Sequence, residues 1–452
     1  MAFNSAAIEE FSDIWVFCEQ REGKLMSTDI ELISEGRKLA DERGCKLVGL
    51  LLGADGIESA AKELGGYGAD KIIVASDSFK GSLTSIEVAN AVEIGIKNVF
   101  PQCNVIKTNV ADGGEGTVEA IIKSLGGDLY TTAVTDPLGR PIEAEYGVVN
   151  LNGVKTAVIE MSSASGLPLL LPDEQNPWIT STYGTGEMIL DALNRGCRKF
   201  LVGIGGSATN DAGTGMLSAL GVKFFDSQGQ RLKGCGKDLK SIAQIDMSSL
   251  VPEARKSEFI VACDVNTPFC GLNGAAHVFA PQKGADPQMV KALDDGMYSF
   301  AKIIAEQFQK DIIPLSGAGA AGGLGGAFKA FLNARLTKGI EMVLDAIGFD
   351  SILEGADLVI TGEGRIDFQT ATGKTAAGIL RHAKQKGIPT LAIGGSVEIC
   401  QELKEMGFIG IYSIINTPIS LEKAMQKDSA TANMQSTVEQ ILTTIKYYTE
   451  NK

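Results

Sequence analysis

The sequence predicts an α/β protein that contains a parallel sheet, and three observations lead to that fold class. Short apolar runs of strand length alternate with apolar stripes of helical spacing at both ends of the chain. Glycine is abundant, with 54 residues among 452. Several polar, glycine-rich segments come directly after strand-like runs, and ligands of α/β proteins bind outside the carboxyl ends of the strands. These segments are therefore the expected place of a functional site.

The first 75 residues have the pattern βαβαβ. Strands are predicted over residues 14–18, 46–52 and 71–75, because each is a short apolar run. Helices are predicted over residues 28–43 and 56–64, where apolar residues recur with helical spacing. This order predicts parallel strands that are joined by right-handed crossovers.

The pattern changes after residue 75. A helix is predicted around Val88, Val92 and Ile96, which are spaced i, i+4, i+8. Residues 128–161 alternate around a Pro-Leu-Gly-Arg turn at 137–140, which predicts an antiparallel hairpin and the entry into a second domain. Further helices and strands are predicted over residues 188–193, 199–204, 259–264, 289–308, 340–346, 357–361, 376–385, 390–394, 409–414 and 437–447.

Composition and charge exclude several classes of protein. The chain is acidic, with a formal net charge of −14, which argues against sequence-independent nucleic-acid binding and against docking on anionic membranes. No segment approaches the roughly 20 apolar residues of a membrane span, and the first residues lack the basic start and apolar core of a secretory signal. The eight cysteines form no CxxC pair and there are only two histidines, so neither a structural zinc site nor a disulfide scaffold is expected. We therefore expect a cytoplasmic protein with reduced thiols.

Six glycine-rich segments indicate one shared site for phosphoryl transfer. Glycine lets backbone N–H groups converge on phosphate oxygens, and several of the segments add an Asp or Glu that could hold Mg²⁺ or accept a proton. Three of them contain a cation: Lys80, Lys283 and Arg365. Each segment alone is weak evidence, because a glycine-rich turn usually has no function beyond the turn. The recurrence of the pattern in six segments favours the functional interpretation. The segments are residues 77–82, 111–117, 203–211, 281–284, 317–326 and 361–367.

Two other glycine patterns imitate nucleotide-binding motifs. Gly373, Lys374 and Thr375 resemble the end of a P-loop, but Phe368 stands where the first glycine is required, so no P-loop is predicted. The segment 203–208 follows a strand-like run and has the spacing of a dinucleotide fingerprint, with Asp226 further on, and residues 317–322 match as well. A dinucleotide-dependent α/β enzyme acting on a small hydroxy acid is therefore the alternative function, and a ligand-binding module without turnover is a third.

Nine segments in register resemble the bacterial glycerate kinase family. They are KIIVASDSFKGSLTS, VADGGEGT, VTDPLGRP, STYGTGE, GIGGSATNDAGTGML, VACDV, PQKGA, GAGAAGGLGGA and ITGEGRID. The resemblance covers the chain from about residue 71 to its end. It implies a two-domain α/β enzyme, with one domain inserted in the other, that transfers phosphate from ATP to D-glycerate and gives 2-phosphoglycerate, or the 3-phosphate in some members.

The first 75 residues resemble instead the beginning of the electron-transfer flavoprotein α-subunit. The segments DIWVFCEQREGKL, ELISEGRKLADERGCKLVGLLLG and KELGGYGADKIIV hold this resemblance. The flavin-binding part of that family lies further along its chain and has no match here, so no flavin is predicted. We expect this stretch to be a structural appendage.

Together these observations predict a Rossmann-like parallel-sheet domain with an inserted mixed α/β domain and a short βαβα N-terminal appendage. The expected boundaries are 1–70 for the appendage, 71–131 and 286–452 for the Rossmann-like domain, and 132–285 for the insertion. The active site is expected in the cleft between the domains, where closure can exclude water. The predicted ligands are ATP, Mg²⁺ and glycerate; neither nucleic acid nor membrane is an expected partner, and a homo-oligomer is left open.

Residue chemistry suggests a role for each candidate in this cleft. Lys80 and Arg365 are candidates for the glycerate carboxylate. Asp211 is the candidate general base, and Asp112 and Asp264 are alternatives for that role or ligands of Mg²⁺. The candidates for binding the nucleotide are Gly205, Gly206, Ser207, Asn210, Gly113, Gly114, Lys283 and Glu363.

Overall fold

A computed structural model describes the chain in two parts. The first part comprises residues 14–18, 20–21, 24–25, 33, 36–37, 40 and 47–51, and the second comprises residues 71–450 except 80, 115 and 372. In the first part, Ile14–Cys18 pairs in parallel with Leu47–Leu51, as predicted, and Gln20–Arg21 pairs antiparallel with Lys24–Leu25. The four described residues between 33 and 40 are helical, and the helix predicted at 56–64 lies outside the described residues.

A five-stranded parallel sheet, called here the first sheet, confirms the predicted parallel architecture. Its strands lie in the order Gly410–Ser413, Thr390–Val397, Leu358–Ile366, Lys71–Ser76 and Asn104–Asn109. The interior strand Lys71–Ser76 is apolar throughout its middle, because helices cover both faces of the sheet. It pairs with its two neighbours in this sheet, so the strand predicted at 71–75 belongs here.

Helices cover the two faces of the first sheet. Ser85–Val99 and Lys427–Glu450 pack on one face, and Gly339–Ile347 and Thr375–Gln385 pack on the other. The helix Ser85–Val99 begins where the sequence dictates, since the Thr84 and Glu87 side chains form a reciprocal capping box.

A six-stranded mixed sheet, called here the second sheet, contains the predicted hairpin. Its strands lie in the order Arg335–Thr337, Glu258–Ala262, Lys199–Gly203, Val154–Glu160, Pro141–Leu151 and Asp128–Thr135. The last three pair antiparallel and the others pair in parallel. The buried carboxylate of Asp136 holds the hairpin turn by accepting hydrogen bonds from the backbone N–H groups of Leu138 and Arg140.

The second sheet extends beyond the boundary that was predicted at residue 286. The helices Pro287–Phe308 and Ala320–Leu332 pack into its main core, and Arg335–Thr337 pairs with Glu258–Ala262. The predicted boundary is therefore too early, and we place the return to the first sheet after Thr337. The local pattern could not show this, because helices alternate with strands in the same way on both sides of residue 286.

The helix Gly339–Ile347 connects the two sheets. Ile340 and Leu344 pack under the first sheet, whereas Met342 and Val343 pack under the second sheet beside the helix Thr117–Leu125. The N-terminus of this connecting helix lies at the junction of the two sheets, and this position becomes important for the site.

The helix Tyr183–Asn194 packs into the main core of the second sheet, and the remaining helices are short. None of the helices in the described part of the chain is both long and apolar enough to span a membrane. Two short strands, Lys223–Phe225 and Gln244–Asp246, pair with each other. The helices not named above are Ser162–Ser165, Leu167–Leu169, Pro172–Glu174, Thr214–Ala219, Gly236–Ser241, Pro252–Lys256, Ala275–Phe279, Pro281–Lys283, Phe349–Ile352, Phe368–Ala371, Gln401–Met406 and Leu421–Met425.

Candidate active site

A cavity of about 830 Å³, called here the glycine pocket, lies at the carboxyl ends of the second-sheet strands. Strand ends contribute Glu160, Ile204 and Asp264, and residues 112–114 enter from the first sheet. The loop at 205–207 completes the wall. The predicted residues that the structure brings together here are Asp112, Gly113, Gly114, Gly205, Gly206, Ser207, Asp264 and Lys283.

Two glycines allow the close approach that forms this pocket. A Cβ on Gly339 would lie 1.7 Å from the carbonyl oxygen of Asp112. Gly113 has a φ of +84°, and a Cβ there would lie 2.6 Å from the Cβ of Ala262. Both distances are far below van der Waals contact, so the junction of the two sheets requires glycine at both positions.

Two carboxylates, Asp112 and Asp264, line the cavity at this junction. Asp264 Oδ1 accepts a hydrogen bond from the Gly339 N–H at 2.9 Å, and Asp112 Oδ1 accepts one from the Gly114 N–H at 3.1 Å. Burial, together with the charge of Asp112, raises the pKa of Asp264 to about 6. The described residues contain no cluster of three or more metal-ligating side chains. A pair of carboxylates is nevertheless what Mg²⁺ needs, because phosphate and water oxygens supply its other ligands.

A second cavity of about 620 Å³, called here the arginine pocket, lies at the carboxyl ends of the first-sheet strands. Its polar wall contains Asp77, Glu363, Arg365 and Lys374, and its other wall is apolar. Asp112 lines this pocket as well as the glycine pocket. The two cavities therefore meet at one carboxylate.

Glu363 was predicted as a nucleotide ligand, but it lines the arginine pocket and not the glycine pocket. There it has the properties of a general base. Its Oε1 accepts a hydrogen bond from Thr370 Oγ1 at 2.6 Å. Burial raises the pKa of this carboxyl group to about 7, and the Thr370 hydrogen bond only partly opposes that shift. A carboxylate with such a pKa can both hold and release a proton near neutral pH, which is what a catalytic base requires.

Of the two cations predicted for the glycerate carboxylate, the structure describes Arg365 but not Lys80. The Arg365 side chain is 64% exposed, and its guanidinium pairs with Asp367 at 2.9 Å and with Glu398 at 3.0 Å. Lys80 lies outside the described residues, although its neighbours Phe79 and Ser82 line the pocket. Arg365 thus lines the pocket with its charge already shared between two carboxylates, and its role toward the glycerate carboxylate stays a prediction.

Asp211, the predicted general base, does not reach either cavity. Its side chain is fully buried, and its carboxylate accepts four hydrogen bonds. Thr182 donates from both its backbone N–H and its Oγ1 at 2.8 Å, and the N–H groups of Gly213 and Gly215 donate at 3.1 Å. The geometry contradicts the catalytic role, because a carboxylate so surrounded has no open position for a substrate hydroxyl.

Asn210 also differs from its predicted role as a nucleotide ligand. It is fully buried, and its side-chain amide points at the sulfur of Met297, with 3.3 Å between Nδ2 and Sδ. It lines neither the glycine pocket nor the arginine pocket. Asn210 and Asp211 therefore hold the loop that follows residue 207 and do not form the wall of the site.

Three residues of the two cavities were not among the candidate site residues predicted from the sequence. Glu160 ends the strand Val154–Glu160 in the glycine pocket, and its Oε1 accepts a hydrogen bond from the Val118 N–H at 2.9 Å. Asp77 and Lys374 line the arginine pocket. The signal for Glu160 and Asp77 was present, since both stand at the carboxyl end of a predicted strand.

The dinucleotide fingerprint at 203–208 lacks the local structure that it requires. That motif needs a helix that begins in the glycine turn itself, but the next helix begins only at Thr214. The second match, at 317–322, leads into three successive left-handed residues, Ala321, Gly322 and Gly323. Neither segment forms the strand–turn–helix of a dinucleotide site, which removes the structural basis of the alternative function.

Two sheets that meet at a cleft, with glycine loops, a carboxylate pair and cations around it, define an α/β phosphotransferase for small molecules. The family model described as the glycerate kinase family matches residues 72–446, and the chain belongs to that family. A model described as an electron transfer flavoprotein domain matches residues 14–118. Both resemblances that the sequence motifs suggested are thereby confirmed.

Relatives with the same description extend over most of the chain. The glycerate kinase of Halalkalibacterium halodurans is 45% identical over 357 residues, which are 79% of this chain and 93% of that protein. The glycerate 2-kinase of Escherichia coli K12 is 42% identical, with the same two shares. The crystal structure of putative glycerate kinase 2 from Salmonella typhimurium LT2 is similar with a TM-score of 0.77 and 42% identity, and covers 84% of this chain and 100% of that one. The α/β fold class and the kinase activity are thus shown.

Proposed function

We propose that the protein transfers the γ-phosphoryl group of ATP to a hydroxyl group of D-glycerate and releases 2-phosphoglycerate. The observation that supports this proposal most is the position of Asp112, which lines both cavities. A phosphate donor in one cavity and an acceptor in the other would meet at this carboxylate. The printed names of the relatives, glycerate kinase and glycerate 2-kinase, agree with this choice of acceptor.

The glycine pocket suits the nucleotide. Gly113, Gly205 and Gly206 line this cavity without a side chain that would keep phosphate oxygens from the backbone, whereas the Gly114 N–H already donates to Asp112. Phe279 and Leu167 provide an apolar surface in the same cavity for the base. Asp112 and Asp264 would hold Mg²⁺, which neutralises charge that develops on the transferred phosphoryl group.

The arginine pocket suits glycerate. Arg365, Lys374 and Lys80 are the cations that we assign to its carboxylate. Glu363 would accept the proton of the attacking hydroxyl group as the oxygen bonds to the γ-phosphorus and the bond to the ADP oxygen breaks. No water is needed in this step, and closure of the two sheets on the substrates would keep water from competing with the hydroxyl group.

The test is a comparison of acceptors. Purified protein with ATP and Mg²⁺ is given D-glycerate, L-glycerate and glycerol in parallel, and ADP release is measured. We expect rapid turnover with D-glycerate, and ³¹P–¹H NMR of the product should place the phosphate on carbon 2. Turnover with glycerol alone, or a 3-phosphate product, would contradict the proposed acceptor or the proposed position.

A further inference from the structure

A lysine is buried in the wall of the glycine pocket. Lys283 is 2% exposed, and its Nζ donates hydrogen bonds to Ser207 Oγ and to the Thr209 carbonyl oxygen, both at 2.7 Å. It lies in the turn Pro281–Lys283 and lines the same cavity as Ser207. One of the three ammonium protons therefore remains after the two protein acceptors are counted.

Within the part of the chain that the structure describes, no acidic group contacts this ammonium. Among the described residues, no carboxylate oxygen lies within 4.0 Å of Lys283 Nζ. Asp211 acts on Lys283 through its charge, but its oxygens are taken by the four donors described above. The other acidic groups of this cavity, Asp112, Glu160 and Asp264, line its wall without an ion pair to Lys283.

Burial without a carboxylate in contact disfavours the charged ammonium, so the protonation equilibrium of Lys283 shifts toward the neutral amine. Burial lowers the pKa of Lys283 to about 7. A neutral amine still donates two hydrogen bonds, so Ser207 and Thr209 keep their partner in either state. An anion that enters the pocket would supply the missing counter-charge and restore the ordinary preference of lysine for the charged form.

We propose that Lys283 is the phosphate receptor of the glycine pocket, and that it takes up one proton from solvent when the phosphate groups of the nucleotide bind beside it. The proposal rests on the proposed function, which places the nucleotide in this cavity. The bound state is an ammonium–phosphate pair, and no covalent bond changes. Ser207 is a positioning residue in this arrangement, because its Oγ holds Nζ at the pocket wall.

A measurable consequence is that phosphate affinity depends on pH. Above a pKa of about 7, binding must pay for protonation, so the affinity should fall up to about tenfold per pH unit. Near pH 8.5 the free amine is almost entirely neutral, whereas the phosphates of ADP are fully ionised. Uptake of close to one proton per bound ADP is then expected from the protein itself.

The experiment is titration calorimetry of the full chain with ADP and, separately, with inorganic tripolyphosphate. Each titration is done near pH 8.5 in buffers with different enthalpies of ionisation, which gives the number of protons exchanged. We expect Lys283→Met to lose the proton uptake and to bind both ligands about 10–100-fold more weakly near pH 6.5, where the native lysine is charged. The matched control is Lys291→Met, an exposed lysine on the helix Pro287–Phe308, which should behave as the native protein.

Proton uptake by Asp264 or Glu363 could add to the native signal, and the difference between native protein and Lys283→Met removes that contribution. The proposal is overturned if the native protein binds ADP and tripolyphosphate without proton uptake, if Lys283→Met retains the uptake, or if neither ligand binds. If Lys283→Met does not fold, the affinity of the native protein for ADP is measured as a function of pH. An affinity that does not change from pH 7 to pH 9 contradicts the proposal. Normal glycerate turnover without proton uptake would refute this inference and leave the proposed function intact. Proton-linked ADP binding without glycerate turnover would support this inference and contradict the proposed function.

Discussion

The substitution Asp211→Asn separates a structural role of this residue from a catalytic one. In the native protein, one carboxylate oxygen accepts three hydrogen bonds, two from Thr182 and one from Gly215, and the other accepts one from Gly213. The amide of asparagine can replace the first oxygen as an acceptor. Its NH₂ group must then face the Gly213 N–H, so that two buried donors oppose each other.

The expected cost follows from these four hydrogen bonds. One buried N–H without an acceptor costs about 1–3 kcal/mol, and three bonds lose the extra strength that a charged acceptor gives. Relief of the buried charge offsets part of this loss. We expect Asp211→Asn to lower the free energy of unfolding by about 2–4 kcal/mol, while kcat per folded molecule changes less than about threefold.

The assay measures urea unfolding by circular dichroism. It also measures steady-state kinetics at a temperature where the variant is folded. Asp226→Asn is the matched control, because that aspartate also accepts two backbone N–H groups through a single oxygen, which asparagine can retain. The control should remain within about 0.5 kcal/mol of the native protein. A fall in kcat of about 100-fold or more with unchanged unfolding would refute the structural role and restore Asp211 as the base.

Four further predictions test the site. Glu363→Gln should lower kcat about 10²–10⁴-fold. The kcat of the native protein should rise as the pH passes about 7, because the base must be ionised. A pH–rate profile of both proteins checks this, and an unchanged profile in the variant would contradict it. Gly339→Ala should lower both activity and melting temperature, since its Cβ would lie 1.7 Å from the Asp112 carbonyl oxygen; a native melting curve would count against the close approach. Arg365→Ala should raise KM for glycerate with little change in KM for ATP, and an unchanged KM for glycerate would remove Arg365 from the site. Deletion of residues 1–70 should leave kcat within about twofold, because the strand Lys71–Ser76 has both its neighbours in the first sheet; a folded but inactive product would show that this segment contributes to catalysis.

The element order and the two family resemblances could be predicted from the sequence because they depend on local patterns. Alternation within 128–161 is a property of neighbouring residues, and it predicted the antiparallel strands of the second sheet. The glycine segments were predicted for the same reason, since they directly follow apolar strand runs. Gly205, Gly206 and Ser207, predicted as phosphate ligands from such a segment, line the glycine pocket, and their role as ligands stays a prediction.

Tertiary structure alone decided which sheet each strand joins and which carboxylates are open to a ligand. The three residues Arg335–Thr337 are too short a run to be predicted as a strand, and only the fold pairs them with Glu258–Ala262. Asp211 and Glu363 are both acidic residues in glycine-rich segments, and no local feature distinguishes them. Asp211 receives two hydrogen bonds from Thr182, which is distant in sequence. Glu363 receives one from Thr370 and lines the arginine pocket. The chemistry of a carboxylate depends on how many of its lone pairs the fold has already used, and that number is set by contacts between distant segments.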